Sequence, residues 1–306
     1  MNTSTTPLRA LAALLFFVSF AQNALAKPLN VSTDIPFVGS LVQAVAGEQD
    51  NVRSLMNGQV SPHSFALRPR DMQLLQTADL VVLIGEELSP NVTRTIKGVA
   101  LSVPTLTMLE LPELQEHIIR MDNPSNFAGK HAGDAHNLDP HIWVDPVLLG
   151  IMATAIGEQL AQLDRDRAEL FRSNAVQVST RLQKFHEEQQ TRWSNQTPKG
   201  FVTMHEIFRY FQHRYNLSSA GSLFEDDHTN PSAKHLKELQ DLIRTENVEC
   251  VITDPNSSQR WVNTLTQGQS VKVISLNTLG SIESNIDYLT VLQNSSDAVA
   301  ECLGIL

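Results

Sequence analysis

Residues 165–193 read RDRAELFRSNAVQVSTRLQKFHEEQQTRW, a stretch with neither glycine nor proline. Phe171, Ala175, Val178, Leu182 and Phe185 recur in it at helical spacings of three and four. That period puts all five on one stripe of a single helix. Unbroken from Arg165 to Trp193, such a helix extends about 43 Å at 1.5 Å per residue, the width of a small domain. What flanks it decides its role.

On both sides, short β-rich runs alternate with helical stretches. Leu29–Ser32, Leu80–Gly85 and Val103–Thr107 read as buried strands, with Phe37–Gly47 and Arg70–Ala78 as helices. After Pro198, Gly200–Met204, Cys250–Thr253 and Val271–Leu276 read as strands. Pro231–Glu246 and the segment following Asn285 read as helices. Such alternation argues for an α/β fold with mainly parallel sheets. The expected architecture is therefore two lobes, residues 27–164 and 194–306, joined by one long helix over 165–193. A single stiff strut limits hinge bending between them.

Composition excludes several classes. Of the 306 residues, 42% are hydrophobic and 18% charged, a globular balance rather than a disordered one. Lys plus Arg number 23 against 33 for Asp plus Glu, a formal net charge of −10. Such a chain repels phosphate backbones, so no nucleic-acid partner is expected. It gathers cations instead.

Residues 1–26 carry the pattern of a secretory signal peptide. Arg9 precedes the apolar run Leu11 to Ala21, and Ala24-Leu25-Ala26 offers a small-x-small site cleaved after Ala26. No later stretch approaches the roughly 18 apolar residues of a spanning helix, and no Cys follows Ala26 for acylation. The expectation is an exported protein of the periplasm. Its two cysteines, Cys250 and Cys302, are an even pair in an oxidising compartment and favour a disulfide that ties down the C-terminal helix.

Three histidines stand where strands end and loops begin. His63 follows Ser61-Pro62, His141 follows Asp139-Pro140, and His205 closes the apolar run Gly200–Met204. In open α/β sheets ligands gather at the carboxyl ends of strands. Neutral imidazole suits Zn²⁺, and three imidazoles with one open position form a common zinc shell. Taken singly, each is more often a surface or core histidine than a ligand.

The motifs go further. Ser61-Pro62-His63 with Leu67-Arg68-Pro69, Ala78-Asp79-Leu80-Val81-Val82 with Gly85, Asp139-Pro140-His141-Ile142-Trp143 with Asp145-Pro146, and His205 with Phe208 and Tyr210-Phe211 span nearly the whole chain after the leader. In these the chain resembles the zinc/manganese-type solute-binding proteins of ABC importers, most closely the zinc-uptake branch. The resemblance implies two lobes joined by a long helix, a metal in the cleft between them, and His63, His141 and His205 as its ligands. It implies a membrane ABC permease as partner. An accessory zinc donor protein is a further partner it admits, and the chain is expected to act as a monomer. The Cys250–Cys302 pair is similar to a C-lobe disulfide of some zinc-uptake members.

The pattern departs at one place. Asn277-Thr278-Leu279-Gly280 stands where the family carries Asp-Pro-Leu-Gly. An amide brings no charge, so the fourth ligand falls to Asn277, Asp254, Glu206 or water. A histidine at 205 and an amide at 277 both point away from manganese. The loop 123–138 holds His131 and His136 among Gly, Asn and Asp, which reads as accessory zinc capture, as a source of the missing fourth ligand, or as a solvated loop.

Other chemistry fits less well. His205-Glu206 begins a metalloprotease-like fragment, but Arg209 breaks HExxH, and no G-x-S-x-G, P-loop or G-x-G-x-x-G occurs. The expected function is therefore zinc binding and delivery without turnover. The alternatives are a carrier of manganese or another divalent ion, a zinc-dependent hydrolase, and an exported adhesin on the same scaffold.

Overall fold

The structure is a computed structural model describing residues 27–99, 102–121, 138–194, 200–224, 230–246, 248–281 and 286–305. The expected leader, and His131 and His136 in the loop 123–138, lie outside the described residues.

The first half runs β1 (Asn30–Thr33), α1 (Pro36–Ala46), β2 (Asn51–Ser54), α2 (Pro69–Thr77), β3 (Leu80–Leu83), α3 (Pro90–Gly98) and β4 (Thr105–Thr107). Its strands form one parallel sheet in the order β2-β1-β3-β4. Strand β3 reads LVVL and is buried at every position, as a parallel strand covered on both faces must be. Proline opens α1, α2 and α3, where its missing N–H costs nothing.

Two helices follow, α4 (Pro146–Leu163) and α5 (Ala168–Trp193). The second half then runs β5 (Phe201–His205), α6 (Arg209–Tyr215), β6 (Ser219–Phe224), α7 (Ala233–Thr245), β7 (Cys250–Thr253), α8 (Gln259–Thr266), β8 (Lys272–Ser275) and α9 (Tyr288–Cys302). Its sheet is also parallel, in the order β6-β5-β7-β8. The α/β class, the two parallel sheets and the long joining helix all follow the expectation.

The joining helix begins later than its sequence suggests, at Ala168 rather than Arg165, because the Asp164 carboxylate accepts from the Asp166 and Arg167 amides and turns the chain. Phe171, Ala175, Val178, Leu182 and Phe185 are all buried. Their cover is α4, which sequence periodicity did not reveal. Ser179 Oγ donates to the Gly150 carbonyl at 3.1 Å, and a Cβ on Gly157 would lie 2.8 Å from that of Ala175. These pairings make α4 and α5 an antiparallel hairpin in intimate contact. The strut is one arm of that hairpin.

Helix α4 also corrects the expectation that no later stretch is apolar enough to span a membrane: by length and composition it qualifies. Its apolar side chains serve another purpose. Leu148, Leu149, Met152, Ile156 and Leu160 are buried against α5 and α1.

Two cross-links finish the frame. Arg167 Nη1 lies 3.0 Å from both carboxylate oxygens of buried Asp50, tying the start of α5 to the edge of the first sheet. A disulfide joins Cys250 on β7 to Cys302 on α9 across 52 residues, which in the chain-entropy view removes about 4 kcal/mol of freedom from the unfolded chain.

Candidate metal centre

The three histidines arrive from separate elements. A 3-10 turn, Pro62–Ser64, carries His63. His141 precedes a second such turn, Ile142–Val144, whose end becomes the cap of α4: the Asp145 carboxylate accepts from the Val147 and Leu148 amides. His205 is the last residue of β5, at the carboxyl edge of the second sheet.

In space they converge. Their ring centroids are 5.0 to 5.7 Å apart, and one nitrogen from each lies within 4.8 Å of the others. His141 Nε2 and His205 Nε2 are separated by 3.1 Å. The three line a cleft of about 280 Å³ between the halves, walled by Trp143, Phe208, Phe224 and Leu279 among others. Among the described residues this is the one cluster of three or more His, Cys, Asp or Glu with metal-binding geometry.

Hydrogen bonds set the tautomers of two rings. His63 Nδ1 lies 3.1 Å from the Glu87 carbonyl, which can only accept, so Nδ1 carries the proton and Nε2 the lone pair. His141 Nδ1 lies 2.7 Å from the Asp139 carboxylate with the same consequence. Asp139 is wholly buried. Burial would raise its pKa, but His141 and Arg209, whose Nη1 is 3.2 Å away, outweigh that and hold it down at about 2. The carboxylate is ionised at every physiological pH. Burial lowers the pKa of His141, opposed by Asp139 and assisted by His63 and Arg209, so the neutral, metal-binding ring is favoured.

Each candidate fourth ligand holds hydrogen bonds of its own. Asp254 lines the cleft, but its carboxylate accepts from the Asn256 amide at 2.8 Å and Ser257 Oγ at 2.6 Å. Asn277 lines it too, with its amide bonded to the Leu279 N–H and the Gly280 carbonyl. Glu206 is buried away from the cleft, its Oε1 accepting from the Phe208 amide and Gln212 Nε2, and burial raises its pKa.

Several working residues escaped sequence reading. Asp139 belonged to a quoted motif, yet its role in orienting His141 was not drawn from it. A carboxylate two residues before a histidine is a signal that could have found it. Arg209, which broke the protease pattern, proves to be the counter-ion of Asp139. Arg214 on α6 pairs with Asp145 at 2.8 Å, joining the second half to the turn that follows His141.

Known proteins share this chain's sequence pattern and fold. The high-affinity zinc uptake system protein ZnuA of Paracoccus denitrificans is 27% identical, over 93% of this chain and 94% of that one. The ZnuA of Yersinia pestis is 26% identical, over 91% and 94%. A crystal structure of ZnuA shares the fold, with a TM-score of 0.76 at 22% identity over 90% of this chain and 99% of that one. The laminin-binding adhesin Lmb of Streptococcus agalactiae shares it equally, with a TM-score of 0.76 at 23% identity and the same coverage. A family model, ZnuA, the periplasmic component A of zinc-uptake complexes, matches residues 31–302. That match takes in both sheets, the joining hairpin and all three histidines, and the chain belongs to the ZnuA family.

Proposed function

We propose that the chain binds one Zn²⁺ through Nε2 of His63 and His141 and a ring nitrogen of His205, and hands it to a membrane ABC permease. The convergence of three imidazoles, two with their tautomers fixed, carries the reading. Tetrahedral zinc with Zn–N bonds of 2.0–2.1 Å sets its ligands about 3.3 Å apart, close to the 3.1 Å between His141 and His205. An all-nitrogen set favours zinc over manganese. The fourth position falls to water or to a donor outside the three, and His131 and His136 add at most weak capture.

The cleft's residues support binding rather than turnover, because Glu206, the carboxylate next to His205, bonds to its own helix start instead of facing the histidines. Export by cleavage after Ala26, action in the periplasm as a monomer, lobes over 27–164 and 194–306, and an optional accessory zinc donor complete the proposal.

The test is competition titration against a chromophoric chelator. Zinc should bind tightly near one per chain, and alanine at His63, His141 or His205 should each weaken it severely. Alanine at His117, beside Glu116, or at His186, beside Tyr215, should not. Equal competition by Mn²⁺ would contradict the proposal.

A further inference from the structure

We propose that Asn277 is a positioning residue that braces a clasp between the two halves and thereby holds Trp143, and with it His141, opposite His205. The loop after β8 carries the observation. Asn277 Oδ1 accepts from the Leu279 amide at 3.0 Å, and its Nδ2 donates to the Gly280 carbonyl at 2.9 Å. One acceptor and one donor are both used. A carboxylate supplies only acceptors and would face the Gly280 oxygen with a like partial charge.

Bent in this way, the loop turns two carbonyls toward the first half. Thr278 accepts from Trp143 Nε1 at 3.0 Å, a buried bond, and the Trp143 ring lies 5.2 Å from that of His141. Leu279 accepts from the Phe37 amide at 2.8 Å. Phe37 sits in the first turn of α1, where an N–H has no partner within its own helix, so the loop caps that helix from the other half. Gly280 (φ +75°) and Gly58 (φ +81°) complete the clasp. A Cβ on Gly58 would lie 2.1 Å from the Gly280 oxygen, so only glycine permits that approach.

The amide at 277 is thus the residue this loop needs, and an aspartate there could not make both bonds. With the brace lost, the Thr278 carbonyl drifts from Trp143 and the wall behind His141 loosens.

The experiment compares the full chain with Asn277→Asp and Asn277→Ala. Proton NMR resolves the indole N–H of Trp143 from those of Trp193 and Trp261, which serve as internal controls for global unfolding. Both variants should speed solvent exchange of the Trp143 indole proton about tenfold and leave the other two unchanged. Zinc affinity should fall several-fold in both, with Asp no better than Ala. Tighter zinc binding by Asn277→Asp, or an unaltered Trp143 exchange rate in both variants, would overturn the proposal. The zinc readout rests on the proposed metal site, but the indole readout does not. A chain that binds no zinc would therefore refute the site while leaving the clasp measurable.

Discussion

The Asp139 carboxylate accepts the Nδ1 proton of His141 at 2.7 Å while Arg209 holds its other oxygen at 3.2 Å. This buried chain does two jobs. It turns the lone pair of His141 into the cleft, and it raises the basicity of a ring that burial alone would leave a weaker ligand. Because the carboxylate is compensated by Arg209, it stays ionised without a metal.

Removing this support should therefore weaken the site without removing a ligand. Asp139→Asn keeps an acceptor but loses the charge, and Asp139→Ala loses both. Zinc affinity should drop about 10-fold in the first and about 100-fold in the second. Competition titration reads both, and wild-type affinity in Asp139→Ala would show that His141 needs no such partner.

Protons compete with zinc for imidazole. The lowered pKa of His141 delays that competition to pH values below the ordinary 6.5 of the side chain. Zinc affinity should hold near neutral pH and then fall steeply as pH drops, with more than one proton taken up per zinc released. A flat response down to about pH 5 would mean that carboxylates hold the ion.

Asp34 sets a second pH dependence, this time of stability. It is fully buried, and burial outweighs its bonds from the Ile84 and Ile35 amides and Ser89, raising its pKa to about 6. The folded state therefore holds this proton more firmly than the unfolded chain does. Its contribution is complete below the unfolded value of 3.8 and is lost as pH rises through about 6. The loss is about 3 kcal/mol. Urea unfolding of the zinc-free chain at pH 4 and pH 7 should show Asp34→Asn lacking that increment of pH dependence. Equal slopes for the two proteins would refute it.

The pair Asp50–Arg167 predicts a loss independent of pH near neutrality. Both carboxylate oxygens meet Nη1, Asp50 also accepts from the Leu29 amide, and the Arg167 guanidinium stacks 4.9 Å from the Phe171 ring. Arg167→Ala leaves a buried carboxylate without its cation and should cost about 3 kcal/mol in urea unfolding. A cost under about 1 kcal/mol would place the pair among ordinary surface contacts.

The residues that announced themselves in the sequence were those whose environment is local. Strands β3 (LVVL), β5 (FVTMH) and β7 (CVIT) lie inside their sheets, and their apolar residues show it, while β1 (NVST) lies inside too but carries only Val31. All four edge strands are partly exposed, but β4 and β8 keep Leu106 and the pair Val273-Ile274, whereas β2 (NVRS) and β6 (SAGSLF) are mostly polar or small, so no apolar run marks them. Helix α4 escaped because Gly150, Ala153, Ala155 and Gly157 blur its apolar stripe, although Asp145-Pro146 is a legible cap and start. The three histidines were legible as a set only through the family resemblance. No spacing along the chain reveals that two sheets turn their carboxyl edges to one cleft. In sequence Asn277 is only one of several options for the fourth ligand, because its two bonds depend on a loop bend that tertiary contacts impose.

Zinc K-edge X-ray absorption on the chain loaded with one equivalent of Zn²⁺ tests three-imidazole binding most directly. The expected spectrum has a nitrogen-dominated shell near 2.0 Å with outer-shell scattering from three imidazoles, falling to two in His141→Ala. One imidazole or none in the wild-type spectrum, or an unchanged count in His141→Ala, would contradict it.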